Sequence, residues 1–411
     1  MNVLFLHNNF PAQFRHLARV LAQVPGNRVC FVTQNAGQGE IPGVFKLLYQ
    51  PAREAEASTH HYIRPFEKAV LTGQGAYRAL RALQDKGFVP DVTIAHAGLG
   101  PALYLKEVFP ATRHIGYFEW YYHAHGGDSD FLDPAEMNAD LALAVRTRNA
   151  ALLFDLAQCD QGLCPTYFQR DRFPAIFHPK LTVLHDGIDT DYFRPAPGTG
   201  LTLPGLDLSE AQEIVTYATR GMEPYRGFPQ FMRAAALLLA RRPGLHVVVA
   251  GADRVAYGPQ PKDGLGYKQR LLDELPGLDL ARLHFTGLLP YGQYLRLLRA
   301  SSAHIYLSVP FVLSWSLLEA LAAGCLVVAS DTEPVREVMR DGVNGYLVDF
   351  FSPEALAERV AYALDHPAAA APLRQAARAG MVERYDLKSL LSRQIALIQA
   401  VAAGENVVAG A

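Results

Sequence analysis

The stretch 303–349 constrains the fold more than any other, because strand, loop, helix and strand follow one another in it without slack. Residues 305–309 are rich in β-formers, 316–323 are good helix formers with a Leu/Ala face, and Gly324 falls where a helix C-terminus calls for φ > 0. Residues 326–329 then read as a buried parallel strand. The order repeats: Pro334 opens another helix, Gly342 lies near its end, Asn344-Gly345 makes a tight turn, and 346–348 is the next strand. In open parallel sheets ligands lie at the carboxyl ends of the strands. The loop 310–315 and the start of the following helix are therefore expected to face a crevice, with Glu319 about one turn into that helix. The residue has two readings, a ligand-binding carboxylate or an exposed acidic residue favoured by the positive helix end.

With 411 residues the chain exceeds what one core usually serves, so two domains of about 200 residues are expected. Half of the residues are apolar and 19% are charged, ordinary globular composition. A net charge of −2 and no dense Lys/Arg stripe argue against a nucleic-acid partner. Cys30, Cys159, Cys164 and Cys325 are dispersed without a CxxC pair, which signals neither a zinc site nor a disulfide framework. Residues 3–6 follow Met1 directly as a strand, with no basic n-region or cleavage site, so no secretory peptide is expected. No apolar run reaches the ~18 residues that span a bilayer. A reducing cytoplasm is the simplest compartment, and peripheral contact with the inner membrane is left open.

Ser308, Glu319-Ala320, Ala322-Ala323-Gly324, Val327-Val328-Ala329-Ser330-Asp331, Glu337, Asp341-Gly342, Asn344-Gly345 and Leu347-Val348 occur in an order that resembles the donor-binding half of family 4 retaining glycosyltransferases of the GT-B fold. The resemblance implies an α/β chain of two Rossmann-like domains whose parallel sheets face a central cleft. It places an acceptor-side domain at 1–195, a linker at 196–212, a nucleotide-sugar domain at 213–386, and at 387–411 a helix crossing back to the first domain plus a flexible tail. Strand-turn-helix patterns at 1–25 and 214–241 parallel each other as two such halves would.

In that family two glutamates eight positions apart handle the donor, the first touching the transferred sugar and the second holding the ribose hydroxyls. Glu319 matches the second; the first position holds Phe311. The glycine-rich turn is altered as well, reading Val312-Leu313-Ser314-Trp315-Ser316. Phe311, Ser314, Trp315 and Ser316 are carried over as donor-binding positions, and the departure supports nucleotide binding better than the usual handling of the sugar. Arg220 and Arg226 match, within one residue of spacing, the Arg and Lys by which that family grips the diphosphate; the alternative is two surface arginines in a loop. A guanidinium fork can hold two phosphate oxygens as the leaving group gains charge.

The first domain matches only by pattern. Asn8, Asn9, Phe10 and Pro11 stand where many GT-B enzymes have a glycine-rich loop, so either the Asn9 side chain replaces backbone amides or an Asx turn opens a helix. After the strand 113–118, Glu119 is nearest the position where relatives carry a histidine facing the donor sugar, and His123 is next; a core or rim role is the alternative for both. Asp128-Ser129-Asp130 has the look of the DxD metal motif of GT-A enzymes but lacks its strand context. His60-His61 and His123-Ala124-His125 have no partner cluster at metal-ligand spacing. The role of 251–266, a long polar insertion, is not legible.

The resemblance thus implies a metal-independent retaining transfer from a nucleoside-diphosphate sugar, with no further cofactor, to a glycan, lipid-linked or protein acceptor. The rival reading is a nucleotide-sugar-binding protein without transferase activity, motivated by Phe311.

Overall fold

The computed structural model describes residues 1–37, 39–196, 200–261 and 263–405. It contains two compact units, Met1–Gly187 with Lys388–Ala411, and Ile188–Leu387.

In the first unit, β1 (Asn2–Leu6), β2 (Arg28–Thr33), β3 (Val44–Leu48), β4 (Val92–His96), β5 (Arg113–Tyr117), β6 (Gln161–Cys164) and β7 (Leu181–Val183) form one parallel sheet in the order β3-β2-β1-β4-β5-β6-β7. Runs such as Val3-Leu4-Phe5-Leu6 are wholly buried, as strands covered on both faces must be. The order changes direction between β1 and β4, which opens a crevice at their carboxyl ends.

The second unit begins with a hairpin of β8 (Leu201–Leu203) and β9 (Leu206–Leu208). Its parallel sheet comprises β10 (Glu213–Gly221), β11 (Leu245–Ala252), β12 (Leu283–Gly287), β13 (Ala303–Tyr306), β14 (Val327–Ser330) and β15 (Tyr346–Val348), in the order β12-β11-β10-β13-β14-β15. Here the switch lies between β10 and β13.

Three features differ from the sequence reading. The units divide after Gly187 rather than after 195. The span 196–212, expected as a linker, holds the β8-β9 hairpin, because Leu201, Leu203 and Leu208 bury themselves with Ile214, Val248 and Leu297. The helix expected to open at Pro334 is a single turn, Glu333–Arg336, followed by turns to β15. The helix Leu387–Ala402 is counted with the first unit from Lys388, where Gln394 Nε2 donates to the His185 carbonyl at 2.9 Å. Residues 406–411 of the expected flexible tail lie outside the described residues.

Gly324 has φ = 76° at the end of the helix Trp315–Ala322, as its position required. Gly227, at φ = 63°, is needed twice over: a Cβ there would lie 2.5 Å from Leu307 Cβ. It joins the turn Pro224–Arg226 to the helix Phe228–Arg241 and so sets the entry of the β10 loop. All four cysteines are free and buried. Among the described residues no helix is long and apolar enough to cross a membrane.

Candidate functional site

In the second unit a cavity of about 240 Å³ opens at the carboxyl ends of β10 and β11, lined among others by Thr219, Arg220, Gly251, Ser314, Trp315, Ser316 and Glu319. Ser314 caps the helix Trp315–Ala322: its Oγ accepts from Ser316 N at 3.3 Å and lies 2.8 Å from Ser316 Oγ. The Ser314 N–H donates to Tyr306 Oη at 3.1 Å, which ties the loop to β13. This packing leaves Glu319, in the second helical turn, 6% exposed rather than on an open helix face. Its Oε1 accepts from Tyr291 Oη at 3.2 Å. Burial pushes the Glu319 carboxyl up to about 7, against the pull of the Tyr291 and Tyr294 hydroxyls.

Arg220 is exposed and has no ion-pair partner among the described residues. Arg226 is in a different place: 7% exposed, beside the cavity lining rather than part of it. Its Nη1 donates to Ser308 Oγ at 2.7 Å and to Tyr306 Oη at 3.4 Å, and its Nη2 to the Val312 carbonyl at 3.4 Å. The Tyr257 and Phe311 rings cover the guanidinium, with centroids 5.0 and 6.0 Å from Cζ. None of these partners carries a formal charge. A guanidinium buried without a carboxylate is costly and is a ready site for an anion.

Phe311 packs against Tyr225 at 5.8 Å and Tyr257 at 5.4 Å, an aromatic wall that sequence spacing did not reveal. Glu223 explains how Tyr257 arrives there. Its wholly buried carboxylate accepts from the backbone N–H groups of Ala256, Tyr257 and Gly258 at 2.8–3.2 Å, pinning part of the 251–266 insertion onto the β10 loop. Glu223 was visible in the sequence only as one more loop carboxylate; its pairing partners lie 33 to 35 residues away.

In the first unit the polar groups gather at the ends of β1, β4 and β5. His7, 5% exposed, accepts the Asn9 N–H on Nδ1 at 2.8 Å, and burial, with the neighbouring His96, lowers its pKa to about 3. Asn8 is a structural residue: its Oδ1 accepts from Tyr49 Oη at 2.8 Å, while the Asn9 side chain stands exposed. Glu119 Oε2 lies 3.1 Å from His96 Nε2. His123 turns away from this group and donates from Nε2 to the Arg172 carbonyl at 2.7 Å. Tyr117 Oη donates to Asp186 Oδ2 at 2.9 Å. Asp130 of the DxD look-alike accepts from Gly126 and Gly127 N–H groups and so caps a short turn. Among the described residues no three His, Cys, Asp or Glu side chains are grouped to hold a metal.

Residues 25–193 match the family described as "Glycosyl transferase family 4 group", and residues 205–380 match "Glycosyl transferases group 1". The chain belongs to the family 4 group of glycosyl transferases.

Among curated relatives of this family 4 chain, a D-inositol 3-phosphate glycosyltransferase of Thermobispora bispora is 28% identical over 250 residues, 58% of the chain and 56% of that protein. One of Mycolicibacterium paratuberculosis is 36% identical over 208 residues, 49% and 43% of the two lengths. The chain spans about half the length of the curated relatives it matches. Sucrose-phosphate synthase of Thermosynechococcus elongatus superposes with a TM-score of 0.73 at 17% identity, over 98% of this chain and all of that one. HepE of Anabaena in complex with UDP-glucose superposes at 0.69 and 16%, over 97% and 100%. These likenesses show a GT-B fold for the family 4 chain.

The structure thus brings Arg220, Ser314, Trp315, Ser316 and Glu319 to one cavity, and Arg226 and Phe311 to the aromatic cluster next to it. Asn9 and Glu119 are at the strand ends of the first unit, and His123 is engaged by backbone. Sequence reasoning missed Glu223, Tyr225, Tyr257 and Tyr291 in the second unit and His96 in the first. Only His96, which ends the β-forming run Val92-Thr93-Ile94-Ala95, carried a positional signal.

Proposed function

We propose that this family 4 chain transfers a sugar from a nucleoside-diphosphate sugar to an acceptor hydroxyl with retention of anomeric configuration, without metal or further cofactor. The observation that carries the reading is the buried, carboxylate-free guanidinium of Arg226 beside a cavity containing Arg220 and Glu319. Two unpaired cations near a helix start suit a diphosphate, and they stabilise it most when the glycosidic bond breaks and its charge grows. Glu319 is assigned to the ribose hydroxyls, and Ser314, Trp315 and Ser316 to the nucleotide beside it. Asn9 and Glu119 are assigned to sugar recognition in the first unit, and His123, held by the Arg172 carbonyl, is not. The acceptor is a glycan, lipid-linked or protein hydroxyl, and the setting is the cytoplasm or the inner face of the membrane. HepE's complex with UDP-glucose supports the choice of donor class.

The test is hydrolysis of UDP- and GDP-sugars without acceptor, with the released anomer followed by NMR, after a thermal-shift screen of UDP, GDP and ADP. A bound nucleotide at ~100 times its dissociation constant adds about 2.7 kcal/mol of stability. Retained anomer is expected. Inverted product refutes the stereochemistry, and binding with no turnover of any nucleotide sugar leaves a binding protein instead.

Phe311→Glu probes the departure from the family pattern. The new carboxylate would stand about 6 Å from the Arg226 guanidinium and pair with it, an interaction of about 2–3 kcal/mol at an effective dielectric near 20. UDP affinity should therefore fall by about that amount, with nucleoside affinity unchanged, as measured by calorimetry. Equal affinity for UDP in both proteins would show that Phe311 does not guard the charge of Arg226.

A further inference from the structure

Glu119 is held on one side only. Oε2 meets His96 Nε2 at 3.1 Å, and Oε1 has no partner among the described residues. The His96 ring is committed on both nitrogens, since Nδ1 lies 3.0 Å from the Ala97 carbonyl, which can only accept. Nδ1 therefore carries a proton, and Nε2 must carry one too if it is to donate to a carboxylate. His96 is an imidazolium in this arrangement. Burial alone would pull its pKa down, but the hydrogen bond and charge of Glu119, together with the Ala97 carbonyl and the charge of Asp155, hold it above the ordinary value.

The surroundings fix the pair rather than compete with it. His7 lies against His96 at 5.0 Å between ring centroids and is neutral, because its Nδ1 accepts from Asn9 N–H. Tyr117 lies 5.8 Å away, its hydroxyl given to Asp186. Asp155, the second carboxylate that favours the imidazolium, takes Gly98 N–H at 2.7 Å. The His96 side chain is 12% exposed and that of Glu119 36%, so solvent meets the carboxylate end of the pair. An overall neutral pair that offers one oriented carboxylate oxygen is built for a hydroxyl donor and not for a phosphate. Its place at the ends of β4 and β5 is where an open parallel sheet binds ligands.

We propose that His96 is a positioning residue that fixes the Glu119 carboxylate so that its Oε1 accepts a hydrogen bond from a hydroxyl of a bound sugar. The proposal rests on the glycosyltransferase reading above, since that reading supplies the sugar. It adds His96 to the residues that act, and it names Oε1 as the Glu119 oxygen that meets the sugar. When His96 loses its Nε2 proton at alkaline pH, a lone pair faces the carboxylate and the orientation is lost, so sugar handling has an alkaline limb set by His96.

The test uses the full chain, with whichever of UDP-glucose, UDP-N-acetylglucosamine and GDP-mannose turns over fastest, and the matching diphosphate alone. Glu119→Gln and His96→Gln should each lower kcat/KM for the nucleotide sugar about 10- to 100-fold, the size of one lost hydrogen bond to a charged group. Affinity for the diphosphate should not change. The double variant should be no worse than either single one, as residues acting as a unit are, and His96→Gln should lack the alkaline limb. Additive losses, or a His96→Gln enzyme with the wild-type rate and pH profile, overturn the proposal. A chain that binds no nucleoside diphosphate overturns the function proposed above instead. The pair is then judged by NMR titration of His96, whose midpoint must drop in Glu119→Gln; an unmoved midpoint refutes it.

Discussion

Arg226→Met should cost the protein its grip on a diphosphate while leaving the ligand-free fold as stable as before, or more so. The guanidinium is 7% exposed and is met by a serine hydroxyl, a tyrosine hydroxyl, a backbone carbonyl and two aromatic rings. These partners supply dipoles and π-faces but no counter-charge, so the ligand-free chain carries the desolvation penalty of a buried ion with only partial compensation. Methionine fills comparable volume against Tyr257 and Phe311 and removes that penalty. Stability without ligand should hold or rise, by about 1–2 kcal/mol by analogy with buried ions replaced by apolar residues.

Binding should move the other way. Loss of a charge-assisted, forked contact to phosphate is worth roughly 3 kcal/mol or more, over 100-fold in UDP affinity, and uridine should be nearly unaffected. Arg220, exposed and better solvated, should show the same selectivity with a smaller loss on Arg220→Ala. Chemical denaturation of the ligand-free proteins and calorimetry with UDP and uridine decide the matter. A destabilised Arg226→Met protein with wild-type UDP affinity would make the guanidinium a structural residue and end its assignment to phosphate.

The contrast between Arg226 and its neighbours shows what the sequence could carry. Local period and turn chemistry made β1, β10 and β13 to β15 readable, because buried parallel strands are continuous apolar runs and Gly324 can hardly be anything but a helix end. Glu319 was legible because the helix that bears it follows β13 directly. Spacing gave no access to what surrounds such a residue. Arg226 and Phe311 are 85 positions apart, yet they meet, and the Glu223 carboxylate, by capturing the amides of Ala256 to Gly258, brings Tyr257 against both. The part of the insertion at 256–258 looked featureless because its place is set by one distant carboxylate and not by its own hydrophobic pattern. The β8-β9 hairpin was hidden for a related reason: Pro, Gly and Thr around it read as a linker, and the leucines that bury it alternate over only a few residues. In the first unit, His96 and Glu119 are 23 positions apart and meet because β4 and β5 are adjacent strands.

Glu319→Gln should uncouple both stability and nucleotide binding from pH. With its carboxyl raised to about 7 from an ordinary value of 4.5, Glu319 binds a proton in the folded chain over a range where the unfolded chain has released it. Ligand-free stability therefore falls as pH rises from about 4.5 to 7, by on the order of 3 kcal/mol in all, and is level above that range. Ribose hydroxyls donate hydrogen bonds, so they favour the ionised carboxylate, and nucleotide binding below pH 7 must release the proton that burial retains. UDP affinity should then weaken as pH falls below 7, approaching tenfold per unit, with up to one proton released per UDP. Isothermal calorimetry in two buffers of different ionisation enthalpy measures that proton directly. The glutamine variant keeps the shape and the Tyr291 contact but has no charge to offer. Its UDP affinity at pH 8 should be lower by about 1.5–3 kcal/mol, with no proton released and a stability that no longer declines between pH 4.5 and 7. If Glu319→Gln instead binds UDP as the wild type does at pH 8, the ribose is held elsewhere, and the raised pKa of Glu319 reflects its burial against Tyr291 and Tyr294 and nothing more.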